Sequence, residues 1–261
     1  MRKIYITFGG SSYNEVIGQT VRDAPKLGAD EVWVYDDLWL SKTEFRRHNT
    51  WLWDHHASRG VGWFAWKPYV MMDALSRVQD GDIILFTDGD THPIADFSVL
   101  FEEVKKDGIM LFNAVGCWNN CWCKRDCFIV MGQDEPRYRD VQHAVARFFV
   151  FQKGRWKPQQ FLMEWLTYCV NPSATTFDPS LILPEHPELH EHRCEQAILT
   201  NLAHRYGYRL YREACQYGRD QPQDQDLYPQ LFEQIGTPGG VKDPTIGSAY
   251  RNVPDRDQEG L

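Results

Sequence analysis

Two carboxylates, Asp88 and Asp90, stand two residues apart with Gly89 between them, directly after the apolar run Ile83-Ile84-Leu85-Phe86-Thr87. On extended backbone, residues i and i+2 face the same side. Like charges that close repel unless a cation or a proton sits between them. A hard divalent ion, Mn²⁺ or Mg²⁺, suits the pair, particularly where phosphate oxygens complete an octahedral shell. Gly89 lets the backbone approach a ligand closely. The plain alternative is a solvated Asp-Gly turn. Position favours the metal reading, because a turn at the mouth of a buried strand is placed to meet a ligand.

The elements that must hold this pair begin at the N-terminus. Residues 3–8 read as a strand, and Gly9-Gly10-Ser11-Ser12 is a turn able to open a helix. A helical stretch follows over 14–27, closed by Gly28-Ala29-Asp30, and Glu31-Val32-Trp33-Val34-Tyr35 is a second strand ending at Asp36-Asp37. Such a β-α-β start favours a parallel sheet with a ligand crevice at the carboxyl ends of its strands. Residues 38–62 lack periodicity and read as loop. Pro68 suits the first turn of a helix from Trp66 to about Val78, and Ile83–Thr87, bounded by turn signals, is a buried strand. Further strands are expected over 109–114 and 145–151, and helices over 159–168 and 194–206. The last forty residues, rich in Gln, Asp, Pro and Gly, read as loops.

Bulk composition narrows the function. Net charge is −8 and no basic run occurs, which argues against a nucleic-acid footprint. No apolar stretch reaches the roughly 20 residues of a membrane span. The start Met1-Arg2-Lys3-Ile4-Tyr5-Ile6 runs into a strand rather than a leader's apolar block. A cytoplasmic chain is expected, with peripheral membrane association left open. The seven cysteines are an odd number, against a complete disulfide framework. Cys117, Cys121, Cys123 and Cys127 crowd together, but their spacing is not a usual structural zinc pattern, so reduced structural thiols are expected.

The acidic pair after a nucleotide-type β-α-β start resembles the GT-A fold of glycosyltransferases. Gly62-Trp63-Phe64-Ala65-Trp66-Lys67-Pro68-Tyr69, a helix, and then Gly81-Asp82-Ile83-Ile84-Leu85-Phe86-Thr87-Asp88 look like a bacterial subfamily with W-K-P-Y and D-x-D motifs. A second block, Glu164-Trp165-Leu166 followed by His192-Arg193-Cys194-Glu195-Gln196-Ala197-Ile198-Leu199, is similar to its E-W-L and H-R-x-D-Q motifs. The resemblance covers about residues 1–217. It implies an α/β chain with a mixed, mostly parallel central sheet flanked by helices. One catalytic unit is expected, with a nucleotide-sugar half over about 1–110, an acceptor half over about 111–217 and a loop-rich tail. The implied activity is transfer of a sugar, such as a hexosyl unit, from a nucleotide-sugar donor to a glycan or lipid-linked acceptor, as in building a bacterial surface glycan.

The resemblance also assigns roles. Asp88 and Asp90 would hold Mn²⁺ or Mg²⁺; Lys67 and Arg59 would meet the donor phosphates; Thr7, Phe8, Gly9 and Asp36 would meet its nucleoside. Glu195-Gln196, opening a helix, matches an Asp-Gln pair that in glycogenin-like retaining enzymes lies beside the reacting carbon; Glu is one methylene longer. The pair would stabilise positive charge and orient the acceptor, with configuration retained. His192 and Arg193 would meet acceptor or phosphate, and Asn113 and Gln142 stand at strand ends suited to acceptor contacts. Many such enzymes add a C-terminal histidine to the metal, but here no histidine follows His204. His92, or water and phosphate, would then complete the shell. The competing readings are a haloacid-dehalogenase-like phosphatase using Asp88 as nucleophile, disfavoured by His92 where such motifs carry Thr, and a non-catalytic binder of sugar nucleotides or glycans.

Overall fold

The computed structural model describes residues 1–54 and 61–235, the side chain of Ser11 excepted. Its central sheet has six strands: β1 (Lys3–Phe8), β2 (Glu31–Tyr35), β3 (Ile83–Asp88), β5 (Ile109–Trp118), β6 (Gln142–Gln152) and β7 (Leu210–Tyr211). A separate ribbon pairs β4 (Thr91–Pro93) with β8 (Phe232–Gln234). The sheet order is β2-β1-β3-β6-β5-β7. β1 runs parallel to β2 and β3, β5 runs parallel to β7, and β6 is antiparallel to both its neighbours.

Near-continuous apolar sequence marks strands covered on both faces. Ile4, Ile6, Phe8, Ile84 and Phe86 pack on one side with the helices Trp66–Ser76, Trp156–Cys169 and Cys194–Tyr206. Tyr5, Ile83, Leu85 and Phe148 point to the other side, where Phe97, Phe101 and Phe232 meet them. The alternation follows from the two-residue period of a strand.

Because β1, β2 and β3 are parallel, their carboxyl ends lie along one edge, bringing Gly9, Asp36-Asp37 and Asp88-Gly89-Asp90 together. The first turn and the acidic turn press backbone to backbone. A Cβ on Gly89 would lie 2.8 Å from the Phe8 carbonyl oxygen and 3.0 Å from Gly9 Cα; one on Gly9 would lie 2.7 Å from Ile17 Cδ1. The glycines therefore permit this contact by having no side chain.

Some expectations need revision. The helix over 14–27 stops at Asp23 and tightens into a 3₁₀ turn, Ala24–Leu27, at Pro25, which cannot donate the next helical hydrogen bond. Residues 38–62, expected as loop, contain the short helices Asp37–Ser41 and Glu44–His48, capped by the side chains of Asp36 and Thr43. β5 and β6 are longer than the apolar runs suggested, and their register shifts beyond Asn113. No helix among the described residues is long and apolar enough to cross a membrane.

Replacing Gly89 with Ala should destabilise the chain by about 1–3 kcal/mol through overpacking against immovable backbone. Urea unfolding would check this, and wild-type stability in Gly89→Ala would refute the close packing of the two turns.

Candidate active site

A cleft of about 530 Å³ opens over this strand edge, between the acidic turn and the start of the helix Cys194–Tyr206. Phe8, Gly9, Lys67, Asp88, Asp90, Arg193, Glu195 and Gln196, eight residues singled out in the sequence, all line it.

Its centre is a buried cation shared by two carboxylates. Lys67, in the first turn of the helix Trp66–Ser76, donates to Asp88 Oδ2 at 2.9 Å and to the Ala146 carbonyl at 3.1 Å. Its Nζ lies 3.3 Å from Glu195 Oε1, and the side chains of Lys67 and Glu195 are each 4% exposed. A lysine has three N–H donors, and these three acceptors use them. Lys67, expected to meet donor phosphates, therefore has no donor to spare for a ligand. It joins Asp88 to Glu195.

The two carboxylates remain undercompensated. Burial pushes the Glu195 carboxyl up to about 7 against the pull of Lys67, with Asp88 adding to the rise. Burial likewise pushes Asp88 up to about 6, Lys67 opposing and Asp90 reinforcing it. The same two acids raise Lys67 above the ordinary lysine value although burial alone would lower it. Asp88 Oδ1 is sealed from solvent and has no hydrogen-bond partner, although 26% of the side chain meets the cleft. Asp90 Oδ1 accepts from Thr91 Oγ1 at 3.1 Å, and Oδ2 from Gln234 Nε2 at 2.7 Å.

An unpartnered, buried carboxylate oxygen beside a second carboxylate is a donor set that fits a hard divalent ion. Among the described residues no cluster of three or more His, Cys, Asp or Glu is arranged to hold a metal, so other oxygens would have to complete the shell. His92, weighed as a third ligand, is turned away: it lies 3.6 Å from Asp23 and 3.4 Å from Thr20, in a separate depression.

Glu195 is delivered by strained backbone. Cys194, immediately before it, has φ +46°, and Phe64 on the opposite wall has φ +55°. Non-glycine residues in this region are costly and cluster where a structure fixes functional groups. Trp165 Nε1 donates to the Glu195 carbonyl at 2.9 Å, holding the turn from below.

Several expected site residues lie elsewhere. Asp36 is spent capping the helix Asp37–Ser41, accepting from the Trp39 amide at 2.6 Å; its neighbour Asp37 lines the cleft instead. Thr7 is buried within β1 and does not reach the cleft wall. His192 is a core histidine: Nδ1 accepts from the Lys124 amide at 3.2 Å and Nε2 donates to the Ala174 carbonyl at 2.9 Å. Burial, with Lys124 nearby, pushes its pKa down to about 3. Asn113 Oδ1 accepts from the Glu213 amide at 3.1 Å, and Gln142 Nε2 donates to the carbonyls of Ala114 and Cys117. Both polar side chains brace irregular backbone in β5 and its surroundings, and neither lines the cleft. Arg59 lies outside the described residues. Cys123 and Cys127 are buried thiols whose sulfurs, with Met131 Sδ, surround the Asn201 amide.

Arg147, a cleft-lining arginine inside the apolar run of β6, carries no signal in the sequence. Gln234 and Glu191 also line the cleft and were not expected.

No protein-family model matches the sequence, and no curated protein matches it. Solved structures do. The chain is similar to the apo structure of WbbM, a bifunctional glycosyltransferase, with TM-score 0.50 and 11% identity over 82% of this chain and 39% of that one. The central sheet is of the GT-A type. Apo mouse xyloside xylosyltransferase 1 also aligns, at TM-score 0.48 and 12% identity over 91% of this chain and 99% of that one. This chain spans about two fifths of the length of WbbM, and at such identity the likeness concerns fold alone.

The raised carboxyl values carry a sign. In the unfolded chain both acids titrate near about 4; in the folded chain they keep their protons to about 6 and about 7. Their contribution to stability is complete below the unfolded value and is lost as pH rises through the folded ones. The melting temperature without added metal should therefore fall between pH 5 and pH 8, and fall less in Glu195→Gln, which has no charge to bury. Equal declines in both proteins would show that Glu195 ionises normally.

Proposed function

We propose that this chain is a glycosyltransferase that moves a sugar from a nucleoside-diphosphate donor to a hydroxyl acceptor with retention of configuration. The observation that carries this reading is the convergence, in one cleft of a GT-A-type sheet, of Asp88, Asp90, Glu195 and Gln196 around the buried Lys67. Mn²⁺ or Mg²⁺ held by Asp88 and Asp90 would supply charge stabilisation to the departing diphosphate.

The chain's own residues account for the rest. Lys67 fixes the distance between the metal-binding carboxylate and Glu195, so donor phosphates and the reacting carbon are positioned by one rigid unit. Glu195 and Gln196, on the facing helix start, lie where positive charge on the sugar would need a polar neighbour. Gly9 and Asp37 end the first two strands, where the nucleoside fits. Phe8 stacks on Trp66 with ring centroids 3.8 Å apart, closing the cleft floor to water. Arg193 lies over Trp122 at 4.3 Å on the acceptor side of the rim, and a glycan or lipid-linked acceptor would enter there. The phosphatase reading loses ground, because His92 faces away from Asp88 and the sheet is of the transferase type. A cytoplasmic site of action, a hexosyl donor and a place in surface-glycan synthesis belong to the same reading.

Three variants test it. In the wild-type chain, one class among UDP-, GDP-, CMP- and dTDP-sugars should raise the melting temperature only with Mn²⁺ present, since a ligand specific to the native state stabilises it. Asp88→Asn and Asp90→Asn should each abolish that shift; a shift that survives in both sinks the metal assignment. Glu195→Gln should bind donor normally yet lose turnover by about 100-fold or more. Tight donor binding without transfer or hydrolysis in the wild-type chain would instead make this a sugar-nucleotide binding protein.

A further inference from the structure

With Lys67 fully committed, the cleft still contains a cation with donors to spare. Arg147 follows Ala146, whose carbonyl Lys67 holds, and sits one residue beyond the last β3–β6 pair, Thr87 with Phe148, which places it across from Asp88. Its side chain is 23% exposed while that of its partner Glu213 is 3% exposed. Arg147 Nη1 donates to Glu213 Oε1 at 3.1 Å and approaches Cys215 Sγ at 3.6 Å. The guanidinium carbon lies 5.1 Å from the centre of the Tyr217 ring. Glu213 is itself anchored, its amide donating to Asn113 Oδ1 at 3.1 Å and its Oε2 lying 3.4 Å from the Val115 amide.

One edge of the guanidinium is thus pinned by a buried carboxylate. Nε and Nη2 make no hydrogen bond to any described residue, and neither is a buried unsatisfied atom. Burial lowers Arg147, but Glu213, then Cys215, Asp88 and Asp90, hold it above its ordinary value, and it forms no ion pair with either aspartate within the described residues. A planar fork fixed at one side and open at the other is pre-organised for a two-point contact with an oxyanion. Among the described residues the other cleft-lining arginine, Arg193, is a poorer candidate: it is 40% exposed and loosely paired with Glu191 at 3.6 Å.

We infer that Arg147 is the anion clamp of this cleft, its free edge taking an oxyanion of the donor, either a phosphate of the leaving diphosphate or a carboxylate carried on the sugar. This rests on the donor reading above and replaces Lys67 in the role of ligand-binding cation. Glu213 and, behind it, Asn113 are positioning residues for the clamp.

Calorimetric titration with Mn²⁺ and inorganic pyrophosphate, and then with UDP-glucose and UDP-glucuronate, tests the assignment in wild type, Arg147→Gln and Arg147→Lys. Loss of a charge-assisted contact should weaken binding about tenfold in Arg147→Gln. Arg147→Lys, which keeps the ion pair with Glu213 and so guards against misfolding, should still weaken it several-fold. Weakened pyrophosphate binding identifies the diphosphate as the clamped group. Unchanged pyrophosphate binding, with a wild-type preference for UDP-glucuronate over UDP-glucose that disappears in Arg147→Gln, identifies a sugar carboxylate. Wild-type affinity for all three probes in both variants overturns the clamp and leaves the donor reading standing. Failure of wild type to bind any probe, or any nucleotide sugar of the thermal panel, overturns the donor reading and the clamp with it.

Discussion

The ion triad of Lys67, Asp88 and Glu195 is the constraint on which the cleft depends. It ties a helix start at residue 67, a strand end at residue 88 and a second helix start at residue 195, so three distant parts of the chain meet at one ammonium group. Taking such groups out of water is costly, and the attraction between them only partly offsets it. A cluster of this kind persists by function or specificity rather than by stability. Counting the charged residues that line the cleft sharpens the point: Lys67, Arg147 and Arg193 face Asp37, Asp88, Asp90, Glu191 and Glu195. With three cations against five carboxylates, the site holds protons on Asp88 and Glu195 above the usual range. A divalent ion at the unpartnered Asp88 oxygen would restore the balance and release protons as it bound.

What the sequence made legible follows from how strong its local signals are. Ile83–Phe86 between two turns leaves little alternative to a buried strand, and its parallel pairing with β1 follows from the β-α-β start. That Asp88, Asp90, Glu195 and Gln196 share one cleft was legible because each stands at the end or start of an element whose position is set by hydrophobic pattern. Asp36 and Asp37 show where that kind of signal gives out. Both end the same strand, and which one caps the helix is settled by backbone geometry: Asp36 is extended and its side chain accepts from the Trp39 amide ahead of it, leaving Asp37 at the cleft. His192 was misread for a related reason. Adjacent to a helix start that lines the cleft, it points inward to bond two backbone groups, and sequence proximity says nothing about that direction. Arg147 was hidden because a single arginine in an apolar strand looks like a solvent-facing residue, whereas its neighbours Glu213, Cys215 and Tyr217 come from a segment some sixty-six residues away.

The left-handed residues around the cleft complete the physical picture. Trp63 and Phe64 on one wall and Cys194 on the other hold φ between +46° and +55°, each at a cost of about 1–3 kcal/mol. Such conformations persist only where packing over-determines them. Here the Trp66 indole donates to the Val61 carbonyl at 3.0 Å, the Ala65 amide to the Gly62 carbonyl at 3.0 Å, and the Trp63 ring meets Phe177 edge-on at 4.6 Å. The Trp165 indole fixes the Glu195 carbonyl in the same way. Indole groups buried in the large core thus bear on the two strained turns that carry Lys67 and Glu195 to each other. The high tryptophan content, ten residues, then has a structural explanation on this side of the sheet. At least four of them, Trp63, Trp66, Trp122 and Trp165, set the shape of the cleft by holding its backbone or stacking on its cations, and rigidity at that point is what lets one lysine serve two acids.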